Sequence, residues 1–346
     1  MAAAKGKPAS GPKKINLAFQ GGGSHGAFTW GIADRLLEDD RVEIDGISGT
    51  SAGAMNAGAL AYGYAIGGRD GARAMLEKFW MAISDAGKNG PIQRHPWDVM
   101  TNNFRLDNSP SYMFFDFLSR MFSPYELNPQ NLNPLRDVLS SVIDFDVLRH
   151  NCPIKLFISA TNVRSGKVRI FEHQEMQPDV LLASACLPFM FQAIEIDGEY
   201  YWDGGYMGNP AIYPLIYHCE SQDVVICQIN PLYREDVPRK ARDILDRVNE
   251  ISFNSSLMRE MRVVAFVTKL LDEGHLSEES YKRMYVHMIE DDKEMKLMGA
   301  SSKLCADQAF LLKLKNLGRR AADRWLRAHF DDLGQKSTID IHDVYM

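Results

Sequence analysis

Residues 42–64 read VEIDGISGTSAGAMNAGALAYGY, and this stretch decides how the chain folds. Its first part, Val42 to Ile47, is a short apolar-rich run typical of a strand, and the small-residue run from Ala54 to Tyr64 is typical of a helix. Between them lies GTSAG at 49–53. Small residues two positions before and after Ser51 permit the sharp strand-to-helix turn that exposes a nucleophilic serine. The alternative is a glycine-rich helix start with Ser51 as an ordinary N-cap.

A second glycine turn lies upstream. The apolar run Ile15 to Phe19 leads into GGGSHG at 21–26, and helical periodicity follows to residue 37. Glycines let backbone N–H groups approach an anion closely, whether a phosphate or the oxyanion of acyl transfer. Two successive strand, glycine turn and helix units predict a layered α/β fold.

The same loop also fits the GxGxxG pattern of dinucleotide binding. Asp45 supports this alternative, because it lies near the end of the next strand, where a ribose-binding acid is expected. That interpretation leaves Ser51 and its flanking glycines unexplained. A hydrolase would use both glycine turns at one edge of the sheet, so the sequence favours a hydrolase.

The third motif is YWDGG at 201–205. An acid that leaves a strand into Gly204 and Gly205 can be held at the edge of a sheet as a general base for serine. An unperturbed aspartate has a pKa of about 3.9, so we expect the surroundings of Asp203 to raise it. An ordinary Asp-Gly turn is the alternative. His25 in the glycine loop is a second candidate base for Ser51.

Composition narrows the function further. The chain has 346 residues, of which 45% are apolar and 24% charged, with a net charge of −6. These values are typical of a globular protein without a basic field, so we expect no nucleic-acid partner. The five cysteines show no CxxC spacing, and no metal-ligand cluster is visible, so we expect neither a metal nor a cofactor. The thiols favour a reducing compartment, and the cytoplasm is the predicted location.

The chain is expected to divide into three parts: a flexible leader at 1–14, a catalytic domain at 15–231 and a mainly helical extension at 232–346. The leader lacks the apolar core of a signal peptide. No run approaches the ~18 apolar residues of a membrane span, so any membrane contact would be peripheral. In the aromatic segment Tyr112 to Phe122, a buried helix is favoured over a lid or interfacial helix. Helices are predicted at 237–273, 277–284 and 301–332, with a strand at Tyr285 to Ile289.

The three motifs in this order resemble the patatin-like phospholipase family over roughly residues 15–230. Softer similarities lie at ATNV (160–163), ASACLP (183–188) and Asn209-Pro210. The resemblance implies a three-layer α/β/α sandwich with a mainly parallel sheet and a Ser51–Asp203 dyad. It also implies an oxyanion hole formed by amides near Gly22 and Gly23. The glycine loop assigned to this oxyanion hole contains Gly21, Gly22, Gly23 and Gly26, and the supporting motif residues are Gly49, Gly53, Gly204, Gly205 and His25.

One departure from the family pattern is His25, which stands where the family usually carries arginine or lysine. A mostly neutral histidine there could alter rate or substrate choice, although backbone oxyanion donors would survive the change.

The resulting hypothesis is a lipid acyl hydrolase that works through an acyl-serine. The alternatives are a short-chain or polyester esterase of the same fold, an acyltransferase, and a non-catalytic lipid-binding protein. The intact pair Ser51 and Asp203 argues against the last two. Head-group preference, the role of the extension, the need for an activator and self-association into a homo-oligomer stay open.

Overall fold

The computed structural model describes residues 11–88 and 90–346, so most of the predicted leader, residues 1–10, lies outside the described part. The described residues form one eight-stranded sheet. Its strands are β1 Lys13–Phe19, β2 Val42–Gly49, β3 Lys155–Asn162, β4 Val168–Glu172, β5 Ile194–Ile196, β6 Glu199–Asp203, β7 Asp223–Cys227 and β8 Tyr285–Ile289.

The strand order is β5-β6-β3-β2-β1-β7-β8, and β4 pairs with β3 outside this path. Strands β3, β2, β1, β7 and β8 run parallel to one another, whereas β4 and β6 are antiparallel to β3 and β5 is antiparallel to β6. Because β1 and β2 are parallel neighbours, the turns that follow them meet at the same edge of the sheet.

Thirteen α-helices are described in the same residues. They are α1 Gly26–Leu37, α2 Ala52–Lys88, α3 Pro96–Met100, α4 Pro110–Met121, α5 Pro124–Leu127, α6 Pro134–Val142, α7 Phe145–Asn151, α8 Pro178–Ser184, α9 Tyr213–His218, α10 Ala241–Asp272, α11 Asp292–Lys296, α12 Gln308–His329 and α13 Ile341–Tyr345. Helix α2 is kinked at Gly67 and Gly68. Short 3₁₀ turns lie at Gly23–His25 and at Ala300–Leu304.

The two faces of the sheet are both buried. Along β1, Leu17 and Phe19 belong to one apolar core, with residues of α1, α2 and α12, while Ala18 belongs to the other, with residues of α9, α10 and α13. Strand β7 alternates in the same way, as the period-two geometry of a strand requires. The expected three-layer α/β/α architecture with a mainly parallel sheet is therefore confirmed.

Helix α12 crosses α1 at two glycines. A Cβ atom on Gly31 would lie 1.9 Å from the carbonyl oxygen of Lys315, and one on Gly318 would lie 2.0 Å from that of Phe28. Neither position leaves room for a larger residue. The C-terminal part of the chain thus packs directly against the helix that follows the glycine loop, and it also adds β8 to the common sheet.

Several predicted elements differ from the structure. The helix expected at 277–284 is absent; Gly274, with φ of +73°, ends the preceding helical segment, and the chain then turns into β8. Helices α6 and α7 are separate, because the side chain of Asp144 caps a new helix. The favoured burial of the Tyr112–Phe122 segment is wrong, since α4 has no buried residue.

Within residues 11–88 and 90–346, no helix combines the length and apolarity that a membrane crossing requires.

Candidate active site

Ser51 occupies the turn between β2 and α2. Its φ of +54° lies in the left-handed region, which non-glycine residues rarely adopt. Such strain costs roughly 1–3 kcal/mol and persists only where the surroundings impose it. The N–H of Ser51 donates to the Ser184 hydroxyl at 2.9 Å. A Cβ atom on Gly53 would lie 2.2 Å from the carbonyl oxygen of Phe19, so only glycine permits this close passage of α2 over β1.

Asp203 ends β6, and the register of the sheet brings it level with Ser51. Gly49 pairs with Ile158 of β3, and Ala160, two residues further along β3, pairs with Asp203. The carboxylate accepts a hydrogen bond from the Gly205 N–H at 2.7 Å. The Ser51 hydroxyl lies close enough to this carboxylate to lower its pKa. Thus the structure brings the predicted nucleophile and the predicted base together.

The surroundings of Asp203 change its acidity. Its side chain is fully enclosed, and burial raises its pKa to about 7, against the opposing effects of the Gly205 N–H, the Ser51 hydroxyl and the positive charge of Lys303. A base whose pKa lies near the working pH is half deprotonated and still basic enough to take a serine proton. The expected upward shift is therefore present.

The glycine loop, residues 21–26, lies beside Ser51. Gly21 packs so closely that a Cβ atom on it would be 2.8 Å from the Cβ of Ser51, and its N–H donates to Asn209 Oδ1 at 2.7 Å. The N–H groups of Gly22 and Gly23 donate no hydrogen bond inside residues 11–88 and 90–346. Gly23 has φ of +57°, which glycine adopts without strain. The loop thus offers two free N–H groups, and Gly21 is not one of them.

The remaining predicted residues frame these groups. Gly26 begins α1 directly after the loop, and Gly49 ends β2 before the elbow. Gly204 and Gly205 follow Asp203 in a 3₁₀ turn, and a Cβ atom on Gly204 would lie 2.1 Å from the carbonyl oxygen of Ser159. In the described residues, no group of three or more His, Cys, Asp or Glu side chains could hold a metal ion.

His25 points away from this constellation. Its Nε2 lies 2.7 Å from the Ser302 hydroxyl oxygen. Ser302 gives its own proton to the carbonyl oxygen of Gly299 at 2.7 Å, so His25 is the donor of the first bond. Burial, aided by the charge of Lys303, lowers the pKa of His25 to about 3. The imidazole is therefore neutral and hydrogen-bonded to Ser302 in the C-terminal part of the chain. This contact disfavours His25 as the base for Ser51.

Asp45 does not lie with the glycine loop. It is the fourth residue of β2, and its carboxylate accepts the N–H of Ser221 at 2.9 Å and faces the Lys155 ammonium at 3.3 Å. Ser221 precedes β7, so this contact lies toward the amino edge of the parallel strands. Asp45, the residue considered for ribose binding, thus stabilises the loop before β7. The dinucleotide-binding alternative therefore loses its support.

Sequence reasoning missed several supporting residues. Ser184 and Asn209 stand inside the softer motif similarities, although no role was inferred for them. Asn230, Ser302 and Lys303 gave no signal at all. Asn230 Nδ2 donates to the Gly21 carbonyl at 2.8 Å, and Lys303 Nζ donates to Asn230 Oδ1 at 2.8 Å.

Comparison with known proteins places the sequence in a family. The sequence profile of patatin-like phospholipases matches residues 17–216, which is more than half of the chain. The crystal structure of VipD from Legionella pneumophila is similar at 17% identity and a TM-score of 0.43, over 92% of this chain and 67% of that one. No curated protein sequence gave a significant match. The chain therefore belongs to the patatin-like phospholipase family, whose description supports lipid acyl hydrolysis in general.

Proposed function

We propose that this protein hydrolyses the acyl esters of lipids with Ser51 as nucleophile and Asp203 as general base. The observation that carries the proposal is the placement of Ser51 level with the buried Asp203 carboxylate, with its hydroxyl close enough to lower the pKa of that acid. Ser51 is held in a left-handed conformation on a strand-to-helix turn. Family membership supplies the substrate class, and the geometry supplies the roles.

The reaction runs in two steps. Asp203 takes the proton of Ser51 as Oγ bonds to the ester carbonyl carbon, and the carbonyl oxygen becomes an oxyanion. Asp203 then returns that proton to the alcohol oxygen as its bond to carbon breaks, which leaves an acyl-serine. In the second step water gives a proton to Asp203 and its oxygen bonds to the acyl carbon. Oγ leaves with the proton, and the fatty acid is released.

The oxyanion is held by the glycine loop in this proposal. Gly22 and Gly23 supply the two N–H groups without a protein acceptor in the described residues, and the amino end of α2 adds its positive dipole beside Ser51. Gly21 shapes the site by its close approach to Ser51 and is not a donor, because its N–H is already bonded to Asn209.

Ser51→Ala and Asp203→Asn are each expected to abolish hydrolysis of p-nitrophenyl esters and phospholipids, with losses of at least about 10³-fold, as for other nucleophile–base pairs. The measurement is the initial rate on an ester panel, with folding checked by circular dichroism and thermal unfolding. Ser140→Ala and Asp70→Asn, at exposed positions, are the matched controls and should keep wild-type rates.

Other results would select other functions. An active Asp203→Asn beside an inactive Ser51→Ala would contradict the dyad. A steep preference for short p-nitrophenyl esters would favour the esterase alternative, and acyl transfer to an alcohol in place of water would favour the acyltransferase. A wild-type protein that neither hydrolyses any ester nor labels at Ser51 with a fluorophosphonate would be a binding protein.

Exposed apolar side chains on α3, on α4 and directly after α4 suggest where lipid is met. We call this set the aromatic surface; its residues are Trp97, Val99, Met100, Met113, Phe114, Phe117, Met121 and Phe122, each more than one third exposed. On α4 the exposed side chains at 113, 114, 117 and 121 form one stripe of the helix. Asp116 and Arg120 of that helix pair at 3.1 Å. The stripe itself carries no charge.

The aromatic surface continues toward Asp203. Helix α5 follows directly, and the Tyr125 hydroxyl accepts the N–H of Ala193 at 3.3 Å. The segment that ends at Ala193 carries Phe189, which is 72% exposed. That segment begins after Cys186, whose carbonyl oxygen accepts the Asp203 N–H at 2.8 Å. An acyl chain that leaves a lipid layer at the aromatic surface would therefore enter next to the base.

We infer that this surface docks on a lipid layer. Phe114→Glu with Phe117→Glu should weaken sedimentation with phosphatidylcholine vesicles and slow vesicle hydrolysis at least about tenfold, because each introduced charge opposes burial in the acyl region. Hydrolysis of soluble p-nitrophenyl butyrate should stay unchanged. Tyr217→Glu, at a 76% exposed aromatic position on α9, is the matched control.

Equal vesicle binding and vesicle hydrolysis by the double variant and the wild type would contradict the docking role. Loss of butyrate hydrolysis as well would show that the substitutions damage the site itself. The cytoplasmic location stays a prediction, and self-association stays an open possibility.

A further inference from the structure

The glycine loop rests on a turn that lies outside the family match. The 3₁₀ turn Ala300–Leu304 touches the loop at three places. The first is the bond from His25 Nε2 to the Ser302 hydroxyl. The second is a backbone contact, since a Cβ atom on Gly23 would lie 2.3 Å from the carbonyl oxygen of Lys303. The third runs through the side chain of Lys303.

That third contact is a chain of hydrogen bonds. Lys303 Nζ donates to Asn230 Oδ1 at 2.8 Å, and Asn230 Nδ2 donates to the Gly21 carbonyl oxygen at 2.8 Å. The N–H of Asn230 donates to Gln20 Oε1 at 3.0 Å. A positive donor at the end of such a chain polarises the bonds that follow it. The lysine therefore fixes the carbonyl side of the peptide group whose N–H side belongs to Gly22.

The charge of Lys303 is not neutralised by direct pairing. In the part of the chain that the structure describes, no carboxylate lies within 4.0 Å of its ammonium group. The charged groups around it are Glu250 and Asp246 on α10, Arg234 in the loop after β7, and Asp203. Glu250 is bonded to Arg234 at 2.6 Å and to Arg247 at 3.1 Å, so it is largely compensated already. Burial lowers the pKa of Lys303, whereas the carboxylates of Glu250, Asp246 and Asp203 oppose that effect and favour the ammonium form beside the loop.

We propose, on the basis of the function proposed above, that Lys303 is a positioning residue of the acyl-transfer site. It holds the glycine loop through Asn230 and supplies the cation of the oxyanion region from the C-terminal part of the chain. His25, within the loop, is neutral, and its hydrogen bond to Ser302 helps to anchor the loop to the C-terminal part of the chain. The charge that the loop itself lacks thus comes from a residue remote in sequence.

Three substitutions of Lys303 separate the effect of its charge from the effect of its hydrogen bond to Asn230. Lys303→Gln keeps a donor for Asn230 and removes the charge, Lys303→Met removes both, and Lys303→Arg keeps the charge. We expect Gln and Met to lower kcat on a soluble ester roughly 10- to 100-fold with little change in KM, and Arg to retain most of it. The acid limb of the pH profile should move to higher pH in Gln and Met, because the lysine charge holds down the pKa of Asp203.

A second measurement does not depend on catalysis. Hydrogen exchange of the peptide that contains residues 20–26 should become faster in Lys303→Met and Lys303→Gln than in the wild type. Lys336→Met, an exposed lysine paired with Asp332 in the same C-terminal part, is the control and should change neither kinetics nor exchange. Thermal unfolding of each variant identifies any that fail to fold, and Gln is then the deciding variant.

The outcomes distinguish the two proposals. Wild-type kcat, pH profile and loop exchange in Lys303→Gln would overturn the role of Lys303 while leaving the Ser51–Asp203 dyad intact. An inactive wild type would overturn the proposed function, and the exchange measurement would still decide whether Lys303 holds the loop. Lost activity in Arg as severe as in Met would show that the charge is not what matters, and would also overturn the proposal.

Discussion

At the scale of single residues, the site holds two groups in energetically unfavourable states. Ser51 is a non-glycine residue with positive φ, and Asp203 is a buried acid without a salt-bridge partner within 4.0 Å among the described residues. Both features cost free energy, and both are needed for a partly exposed nucleophile beside a basic carboxylate. Such conflicts are typical of functional sites.

The two candidate bases differ most in their pKa values, and a pH profile separates them. Asp203 acts as a base only when deprotonated, so kcat/KM on a soluble ester should rise about tenfold per pH unit below a pKa of about 7 and level off above it. The measurement is the initial rate from pH 5 to pH 9 at substrate concentrations well below KM.

His25 predicts a different curve. Burial and the charge of Lys303 lower its pKa to about 3, so it is deprotonated throughout this range. If His25 were the base, the profile would be flat from pH 5 to pH 9. A flat profile together with an active Asp203→Asn variant would therefore replace Asp203 by His25.

How well single residues could be predicted depended on their neighbours. Ser51 and Asp203 were recognisable because flanking glycines mark the tight turns that hold them. Lys303 and Ser302 lie in a segment that resembles an ordinary charged helix, and nothing nearby in the sequence indicates a contact with residues 21–25. Their role follows from packing between distant segments, which one sequence does not display.

At the scale of helices and strands, periodicity predicted which elements are present better than it predicted whether they are buried. The strands β1, β2 and β8 lie where apolar runs indicated. Helix α4 was expected to be buried because apolar residues occur on nearly all its faces. Burial depends on whether another element covers a face, and no described element covers the stripe at Met113, Phe114 and Phe117.

The crossing of α1 and α12 should be intolerant of any side chain. Gly31→Ala or Gly318→Ala would place a methyl group about 2 Å from a backbone oxygen, as the Cβ distances of 1.9 and 2.0 Å indicate. The helices must then separate, and we expect a loss of about 1–3 kcal/mol in the free energy of unfolding, which exceeds the gain in helix propensity. Thermal or urea unfolding measures the change.

Gly67→Ala is the matched control, since a Cβ atom there meets no heavy atom within 4 Å and its φ is negative. It should leave the unfolding midpoint close to that of the wild type. Equal midpoints for Gly31→Ala, Gly318→Ala and Gly67→Ala would contradict the tight crossing.

At the scale of the whole molecule, the sheet runs across the boundary that composition suggested near residue 232. Strand β8 pairs with β7 over five residues, from Asp223 with Tyr285 to Cys227 with Ile289. The sequence after residue 232 is indeed rich in charged residues and mostly helical. The parallel pairing of β7 with β8 joins residues about 60 positions apart, and no local sequence pattern indicates such pairing. The division of the chain into domains stays a prediction.

The bond between His25 and Ser302 spans 277 residues of sequence. A chain emerges from the ribosome with its first residues leading, so Ser51, Asp203 and the glycine loop are all made before the turn that supports the loop. During synthesis the loop therefore lacks its support on Ser302 and Lys303. If the support is needed for turnover, hydrolysis begins only after Ser302 and Lys303 have been made, and membrane lipids near the ribosome are spared until then.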